Sequence, residues 1–388
     1  MTRKFPHKCR ALLILLAFIM LMTGCTPAPG VEQPSEVTTT PVTSDTGNKG
    51  PVELDLETDV LFFGRTYLKS RVYWMNWSGS GFTFRFKGTG ATAEFSSNVP
   101  DVKNLAYLKI YVDGVEMKDV VLNQGIQTVV LAEGLDPNQE HIIEVRKRTN
   151  ARSSTAGLRW IDIEDGEVLP PPEPKDKVIE FLGDSLTVGY VAADGGKSAT
   201  AWSTTTEDVT GTYIPQIANA FGAEYQVVAI SGRGVVRNNG GDTDALFPSV
   251  YKQLDYYNNY GVEYDFANQP DVIVINLGTN DESASNTNLS ESVFKNGLYQ
   301  FLKEVRQYNP NAKIIYTYGL VRVTLSGAIE AVVNQLRAEG DQNIHYLQLT
   351  KCESYELNLN HTVEKAYVSR GEAIIEKIKE VTGWTTVA

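Results

Sequence analysis

Two rhythms divide the chain. Between residues 52 and 168, apolar and polar positions alternate in short runs, such as Phe82-Thr83-Phe84-Arg85-Phe86, Leu108-Lys109-Ile110-Tyr111-Val112 and His141-Ile142-Ile143-Glu144-Val145. Turn signals such as Gly79-Ser80-Gly81, Gly88-Thr89-Gly90 and Asp113-Gly114 separate them. Successive side chains of a strand point to opposite faces, so period-two runs at this spacing predict an antiparallel β-sandwich. Residues 169–176, Leu-Pro-Pro-Pro-Glu-Pro-Lys-Asp, predict a stiff linker. From Lys177 to residue 388 the rhythm changes to continuous apolar runs alternating with amphipathic stretches. Strands are expected at 178–182, 225–230, 272–277, 313–318 and 345–349, and helices near 212–221, 290–308, 327–339 and 363–381. That alternation predicts an α/β domain whose parallel sheet is covered by helices on both faces. No internal repeat is visible.

The first 50 residues follow neither rhythm. Arg3, Lys4, Lys8 and Arg10 precede an apolar stretch from Ala11 to Met22, too short to span a bilayer comfortably as a mature helix. Residues 1–25 are therefore expected to be a targeting segment. Its end, Leu21-Met22-Thr23-Gly24-Cys25, resembles a bacterial lipoprotein signal, in which the cysteine is lipidated and becomes the new N-terminus. Met22 stands where leucine is usual, and a plain secretory signal with an incidental cysteine is the alternative. Residues 26–50, rich in Thr, Pro, Ser and Gly, read as a disordered tether with a reach of roughly 25–30 Å. The expected location is the extracellular face of a bacterial membrane, lipid-anchored or secreted. Of the 3 cysteines, Cys9 would leave with the signal, and Cys25 and Cys352 cannot make an intradomain disulfide framework.

At 388 residues the chain is long enough for two domains, and 42% hydrophobic with 21% charged residues suits a globular protein. A net charge of −12 argues against a nucleic-acid partner and against an anionic membrane surface, leaving the lipid anchor as the expected membrane contact. There is no Walker loop, no dinucleotide fingerprint and no His/Cys cluster at metal-ligand spacing, so no cofactor and no metal are expected.

The chemistry concentrates at strand ends. The run 178–182 breaks at Gly183-Asp184 and presents Ser185; Asp271-Val-Ile-Val-Ile-Asn-Leu277 breaks into Gly278-Thr279-Asn280-Asp281. A serine at such a corner sits at the carboxyl edge of a parallel sheet, where ligands of α/β folds bind. Serine acyl transfer needs a nucleophile, a base and donors aimed at an oxyanion. Ser185 is the candidate nucleophile; the segment Ile230-Ser231-Gly232-Arg233-Gly234 offers backbone N–H groups, and Asn280 a side-chain amide. His7 lies in the leader, His141 in the sandwich and His345 at the start of a strand's apolar run, which leaves His361, in the loop after the last strand, as the base. Trp202, Tyr213 and Tyr264 are candidate sugar-stacking faces, with core or scattered surface positions as the alternative, and Arg233 is a candidate substrate contact, with packing on its own loops as the alternative. Asp184 and Asp281 read as loop-bracing carboxylates.

In these blocks, Gly183-Asp184-Ser185-Leu186, Gly232, Gly278-Thr279-Asn280-Asp281 and His361, residues 177–388 resemble the SGNH (GDSL) hydrolases. The sandwich-then-hydrolase order, with Gly64-Arg-Thr-Tyr67, Phe86-Lys-Gly-Thr-Gly90 and the stretch Tyr225 to Asn238, is similar to family two of the carbohydrate esterases. The resemblance implies a three-layer α/β/α SGNH fold behind a jelly-roll domain, and deacetylation of plant-type polysaccharides or oligosaccharides. It also implies an oxyanion hole made by the N–H groups of Ser185 and Gly232 and the amide of Asn280.

One departure stands out. These relatives usually carry Asp two residues before the histidine, or three in many SGNH enzymes, and often Pro after it; here the sequence is Asn358-Leu359-Asn360-His361-Thr362. Three accounts remain open: a backbone carbonyl orients His361 in a Ser–His dyad, the Asn358 amide oxygen does so, or the site is weakened. Glu353 and Glu356 are also close in sequence. The expected function is a metal-free carbohydrate O-acetyl esterase. A carbohydrate-binding lipoprotein with an inactive hydrolase domain is the alternative, and a lipase or thioesterase on the same fold is a third reading.

Overall fold

In the computed structural model the described residues are 50–387, apart from 100, 102, 194–195, 258–260 and 284–287. The expected leader 1–25, with the lipidation candidate Cys25, and the tether up to residue 49 lie outside them.

The alternating runs build two six-stranded antiparallel sheets around a shared core. On the strand Gly81–Lys87, Phe82, Phe84 and Phe86 are buried while Arg85 and Lys87 stay partly exposed. From the other sheet the strand Gly90–Ser97 sends Ala91, Ala93 and Phe95 into the same core, with Thr92, Glu94 and Ser96 turned away. Phenylalanine facing alanine fills the interior at constant volume. The strand Glu167–Leu169 pairs with Gly81–Lys87, so Leu169 ends the sandwich rather than opening the linker.

The apolar runs beyond Lys177 form one five-stranded parallel sheet. Its strands are Val178–Gly183, Glu224–Ala229, Val272–Asn276, Lys313–Tyr318 and Ile344–Gln348, lying in the spatial order second, first, third, fourth, fifth. Along each strand, side chains alternate between two cores. Ile179, Phe181, Val272 and Val274 meet the helices Tyr213–Phe221 and Glu364–Thr382, whereas Leu182, Ile273 and Ile275 meet Glu291–Tyr308 and Ser326–Ala338. This is the expected doubly covered sheet, and its strands and these four helices lie within a few residues of the predicted positions. Burial on both faces is why the strands read as continuous apolar runs. The short helix Ser185–Val188 follows the first strand directly, while the helix Phe247–Tyr251 and the small hairpin Leu357–Asn358/His361–Thr362 lie outside the expected elements.

This strand order fixes where a site can be. The connection leaving the first strand covers one face and the connection leaving the third covers the other, so a crevice opens between their carboxyl ends. Ser185 stands at one lip and Asn280 at the other.

The sandwich is locked onto the hydrolase domain by buried polar contacts. Arg65 donates to the carbonyls of Tyr251 and of Gln253 (2.9 Å) and lies 3.4 Å from Glu180 on the first parallel strand. Trp77 Nε1 donates to Leu254 O at 2.9 Å, and Asn76 Nδ2 to Asp255 Oδ2 at 2.8 Å.

Candidate active site

The corner that carries Ser185 is shaped by glycine. A Cβ on Gly183 would fall 1.9 Å from Thr187 Oγ1, so only glycine lets the strand pass this close to the turn that follows. Asp184 then caps the short helix Ser185–Val188, its Oδ1 accepting from Leu186 N at 3.0 Å. Ser185, 5% exposed, thereby reaches the cleft, where its Oγ lies 2.7 Å from His361 Nε2. The two residues are 176 positions apart in sequence.

On the far side of the ring, His361 Nδ1 lies 2.8 Å from Leu359 O. A carbonyl oxygen can only accept, so Nδ1 carries the proton and Nε2 is left to accept from the serine hydroxyl. The other possible orienting groups are engaged elsewhere. Asn358 Nδ2 donates to Gly196 O and Ala199 O at 2.6 and 2.9 Å, and its Oδ1 accepts from Leu359 N. Glu356 is paired with Arg370 at 2.6 Å, and Glu353 caps the turn Ser354–Glu356.

The carbonyl is aimed by a tight hairpin. Asn358 pairs with His361, leaving Leu359 and Asn360 as a two-residue loop with φ of +47° and +61°. Those are the φ signs of a type I′ turn, which the twist of a hairpin favours and which Asn-Gly usually occupies. Leucine in the left-handed region costs about 1–2 kcal/mol, strain held at the point where His361 Nδ1 finds its acceptor. Leu359→Pro cannot adopt this φ and is expected to turn the carbonyl away, lowering kcat by about 10²–10⁴-fold. Asn360→Gly, which suits the turn, should keep full activity. Equal rates for these two variants with folding intact would show that the carbonyl does not orient the base.

His361 is stacked on Tyr190 with ring centroids 4.0 Å apart, and Tyr190 in turn on Trp202 at 5.4 Å. Burial depresses the imidazole pKa below the ordinary histidine range, and the Leu359 carbonyl opposes this only in part. The neutral ring is the form that can take the serine proton, so a depressed pKa keeps it competent to lower pH. The acid limb of kcat/KM is expected to fall below about pH 6.5, and a pH–rate profile with its acidic inflection at or above that value would contradict it.

Donors surround the same space, a cleft of about 330 Å³ bordered by Ser185, Gly232, Asn280 and His361. Gly232 has φ +85°, a conformation that turns its backbone as side-chain-bearing residues rarely do. Among the described residues, the backbone N–H groups of Ser185 and Gly232 donate to no protein acceptor. Asn280 differs: its Nδ2 already donates to Asp184 Oδ2 at 2.9 Å and to Arg233 O at 2.8 Å. To serve an oxyanion it must share one of those hydrogens. Asp184 is fully buried, which pushes its carboxyl up to about 7.

The other singled-out residues separate clearly. Asp281 braces the loop of the second strand by accepting from Val235, Val236 and Arg237 N at 2.7–2.9 Å. Arg233 packs on its own loops, donating to Asp244 O and the Tyr256 hydroxyl at 2.7 Å each. Tyr213 is core, and Tyr264 covers the Arg65 guanidinium at 4.1 Å; only Trp202 comes near the site, behind Tyr190. Sequence reading missed Tyr190, whose place five residues beyond Ser185 was the available signal. It also missed Arg152 and Arg322, which border the cleft from the sandwich and from the loop after the fourth strand. Among the described residues, no three His, Cys, Asp or Glu side chains are grouped so as to hold a metal ion.

The carbohydrate esterase 2 N-terminal family matches residues 62–172, and the GDSL-like lipase/acylhydrolase family matches residues 181–356. Among curated proteins the chain is similar to the cellulase/esterase CelE of Acetivibrio thermocellus, 28% identical over 319 residues. That match covers 79% of this chain but only 38% of the relative's length. An acetylxylan esterase / glucomannan deacetylase of Cellvibrio japonicus is 32% identical over 255 residues, 62% of this chain and 66% of that protein. A solved family two carbohydrate esterase from Clostridium thermocellum, in complex with cellohexaose, superposes with a TM-score of 0.78 at 27% identity, covering 84% of this chain and 99% of that one. The chain thus joins a carbohydrate esterase 2 N-terminal domain to a GDSL-like hydrolase domain in the fold of that structure, and its relatives are family 2 carbohydrate esterases.

Proposed function

We propose that this protein removes O-acetyl groups from polysaccharides or oligosaccharides by two-step serine acyl transfer. The reading is carried by the 2.7 Å contact of Ser185 Oγ with a histidine whose other nitrogen is tied to a carbonyl, beside two backbone N–H groups that have no acceptor among the described residues. The names of the relatives, acetylxylan esterase and glucomannan deacetylase, support the substrate class.

In the first step Ser185 Oγ attacks the acetyl carbonyl carbon as His361 Nε2 takes its proton. Charge builds on the carbonyl oxygen, where the N–H groups of Ser185 and Gly232 donate to it, joined by Asn280 if it releases part of its bond to Asp184 or Arg233 O. The C–O bond to the sugar then breaks, and the imidazolium returns the proton to the departing sugar oxygen. Water, deprotonated by the same nitrogen, attacks the acetyl-serine; acetate leaves and Ser185 regains its proton. Leu359 O replaces the carboxylate of a triad: it holds the productive tautomer without adding a negative charge. Export with a lipid on Cys25 would keep this chemistry at the outer face of the membrane, near polymers that cannot enter the cell.

The test is acetate release from acetylated xylan and glucomannan, together with rates on p-nitrophenyl esters of increasing acyl length. Acetyl turnover far above butyryl and longer chains supports the proposal. Preference for long acyl chains would make the protein a lipase. Glycan binding with no turnover on any ester would make it a binding protein with an idle hydrolase domain.

A further inference from the structure

Arg152 comes from the wrong domain to be an accident of the hydrolase fold. It lies in the sandwich, between the strands His141–Lys147 and Gly157–Glu164, yet it borders the cleft that holds Ser185 and His361. The loop carrying it is fastened to the hydrolase domain. Asn150 Nδ2 donates to Ser231 Oγ at 2.9 Å, Asn150 N donates to Glu207, and Asn150 Oδ1 accepts from Arg152 N at 3.0 Å. Ala151 is fully buried in the hydrolase core. The guanidinium itself is left open to solvent, with one long contact from Nη1 to Ser231 O at 3.4 Å.

A second guanidinium, Arg322, borders the same cleft. Among the described residues neither arginine enters an ion pair, and Arg322 makes no hydrogen bond. Among the described residues, no aspartate or glutamate borders the cleft. The carboxylates next in sequence to Ser185 and Asn280 are occupied: Asp184 by Leu186 N (3.0 Å) and Asn280 Nδ2 (2.9 Å), Asp281 by three backbone N–H groups, and Glu282 by the Tyr318 hydroxyl (2.6 Å) and Leu325 N (3.3 Å). In a chain with 47 acidic and 35 basic residues, two cations on one cleft that no described carboxylate borders run against the overall charge. A neutral acetylated sugar offers such cations oxygen acceptors but no opposite charge. A planar carboxylate supplies that charge, and the guanidinium fork matches it with paired hydrogen bonds.

We propose that Arg152 and Arg322 form an anion subsite beside Ser185, so that the preferred substrate is an acetylated glycan carrying a uronate carboxylate close to the ester. This rests on the esterase reading above for turnover, though not for binding. The sandwich domain then completes the substrate cleft as well as bracing its neighbour, and Asn150 acts as a positioning residue for Arg152.

The experiment compares two acetylated oligosaccharides of the same backbone, one bearing a hexuronic acid branch and the other its carboxyl-reduced, neutral counterpart. For the wild type, kcat/KM for acetate release is expected to favour the acidic substrate on the order of tenfold or more at low salt, the preference shrinking as salt is added. In Arg152→Gln/Arg322→Gln the ratio of the two rates should fall towards one, with Arg152→Lys intermediate. Calorimetry of the deacetylated acidic and neutral oligosaccharides with Ser185→Ala reads the same preference as a Kd ratio and needs no turnover. Tight binding of the acidic sugar by Ser185→Ala from a wild type that releases no acetate would sink the esterase reading and keep the subsite. Equal rates and equal affinities for the two sugars would overturn the subsite. So would an unchanged ratio in the double variant, or a loss that strikes both substrates alike, which would assign Arg152 to the oxyanion instead.

Discussion

Ser185→Ala is expected to lower kcat for acetyl-ester hydrolysis by about 10⁴–10⁶-fold, and His361→Ala by a similar factor. The physical reason is that the two side chains act as one unit. Without the imidazole the hydroxyl keeps its proton, and without the hydroxyl the imidazole has nothing to activate at the acyl carbon. Their 2.7 Å contact therefore predicts that the double variant is no worse than either single one. Residual catalysis would come from substrate binding and the backbone donors of Ser185 and Gly232. Initial rates on an acetyl ester, with folding checked by circular dichroism, decide the matter. A single variant within tenfold of wild type, or penalties that multiply in the double variant, would remove this pair from the chemistry.

The second large effect concerns stability. Arg65→Met is expected to destabilise the protein by about 3–5 kcal/mol, because it leaves Glu180 as an uncompensated buried charge. Arg65 is enclosed by Tyr264, Tyr251, Phe266 and Trp77, with its guanidinium 4.1–6.0 Å from the ring centroids. It also satisfies two carbonyls of the hydrolase domain, so its loss opens the joint between the domains. Burial already raises the Glu180 carboxyl above its ordinary pKa, with Arg65 opposing that shift. Removing the cation raises it further. The folded variant then binds more protons than the unfolded chain once pH exceeds the ordinary carboxylate range, and its stability falls as pH rises. The penalty should be smaller near pH 4, where only the two unsatisfied carbonyls contribute, and fully developed near neutrality, and Arg65→Met/Glu180→Gln should recover part of it. Urea unfolding at both pH values tests this; a loss below about 1 kcal/mol, or one indifferent to pH, would show that the pair does not hold the joint.

The two predictions draw on different kinds of information. Gly183-Asp184-Ser185, Gly232 and Gly278-Thr279-Asn280 are legible because a parallel strand buried on both faces must be a short apolar run. The residue that breaks the run must then stand at the carboxyl edge. His361 is legible by its place after the last strand. The sandwich is legible from Phe82, Phe84 and Phe86, since period two on a half-buried strand admits few other readings. In each case side-chain type alone carries the information.

What only the tertiary structure decided is of another kind. Leu359 looks unfit to orient an imidazole, and its side chain is; the group that does so is a backbone carbonyl, which every residue has and no sequence pattern marks. Its aim depends on two positive φ angles in a hairpin of four residues. Tyr190 on His361 and Tyr264 on Arg65 are rings of one chemical type given opposite tasks by what packs against them. Arg152 reaches the cleft because a sandwich loop is pinned to Ser231, 81 residues away from the Asn150 that holds it. The sequence by itself determined which edges carry chemistry, since burial and backbone freedom are local demands on residue type. Which groups meet across those edges was settled by packing between distant segments, because a contact's free energy depends on geometry that neither partner encodes alone.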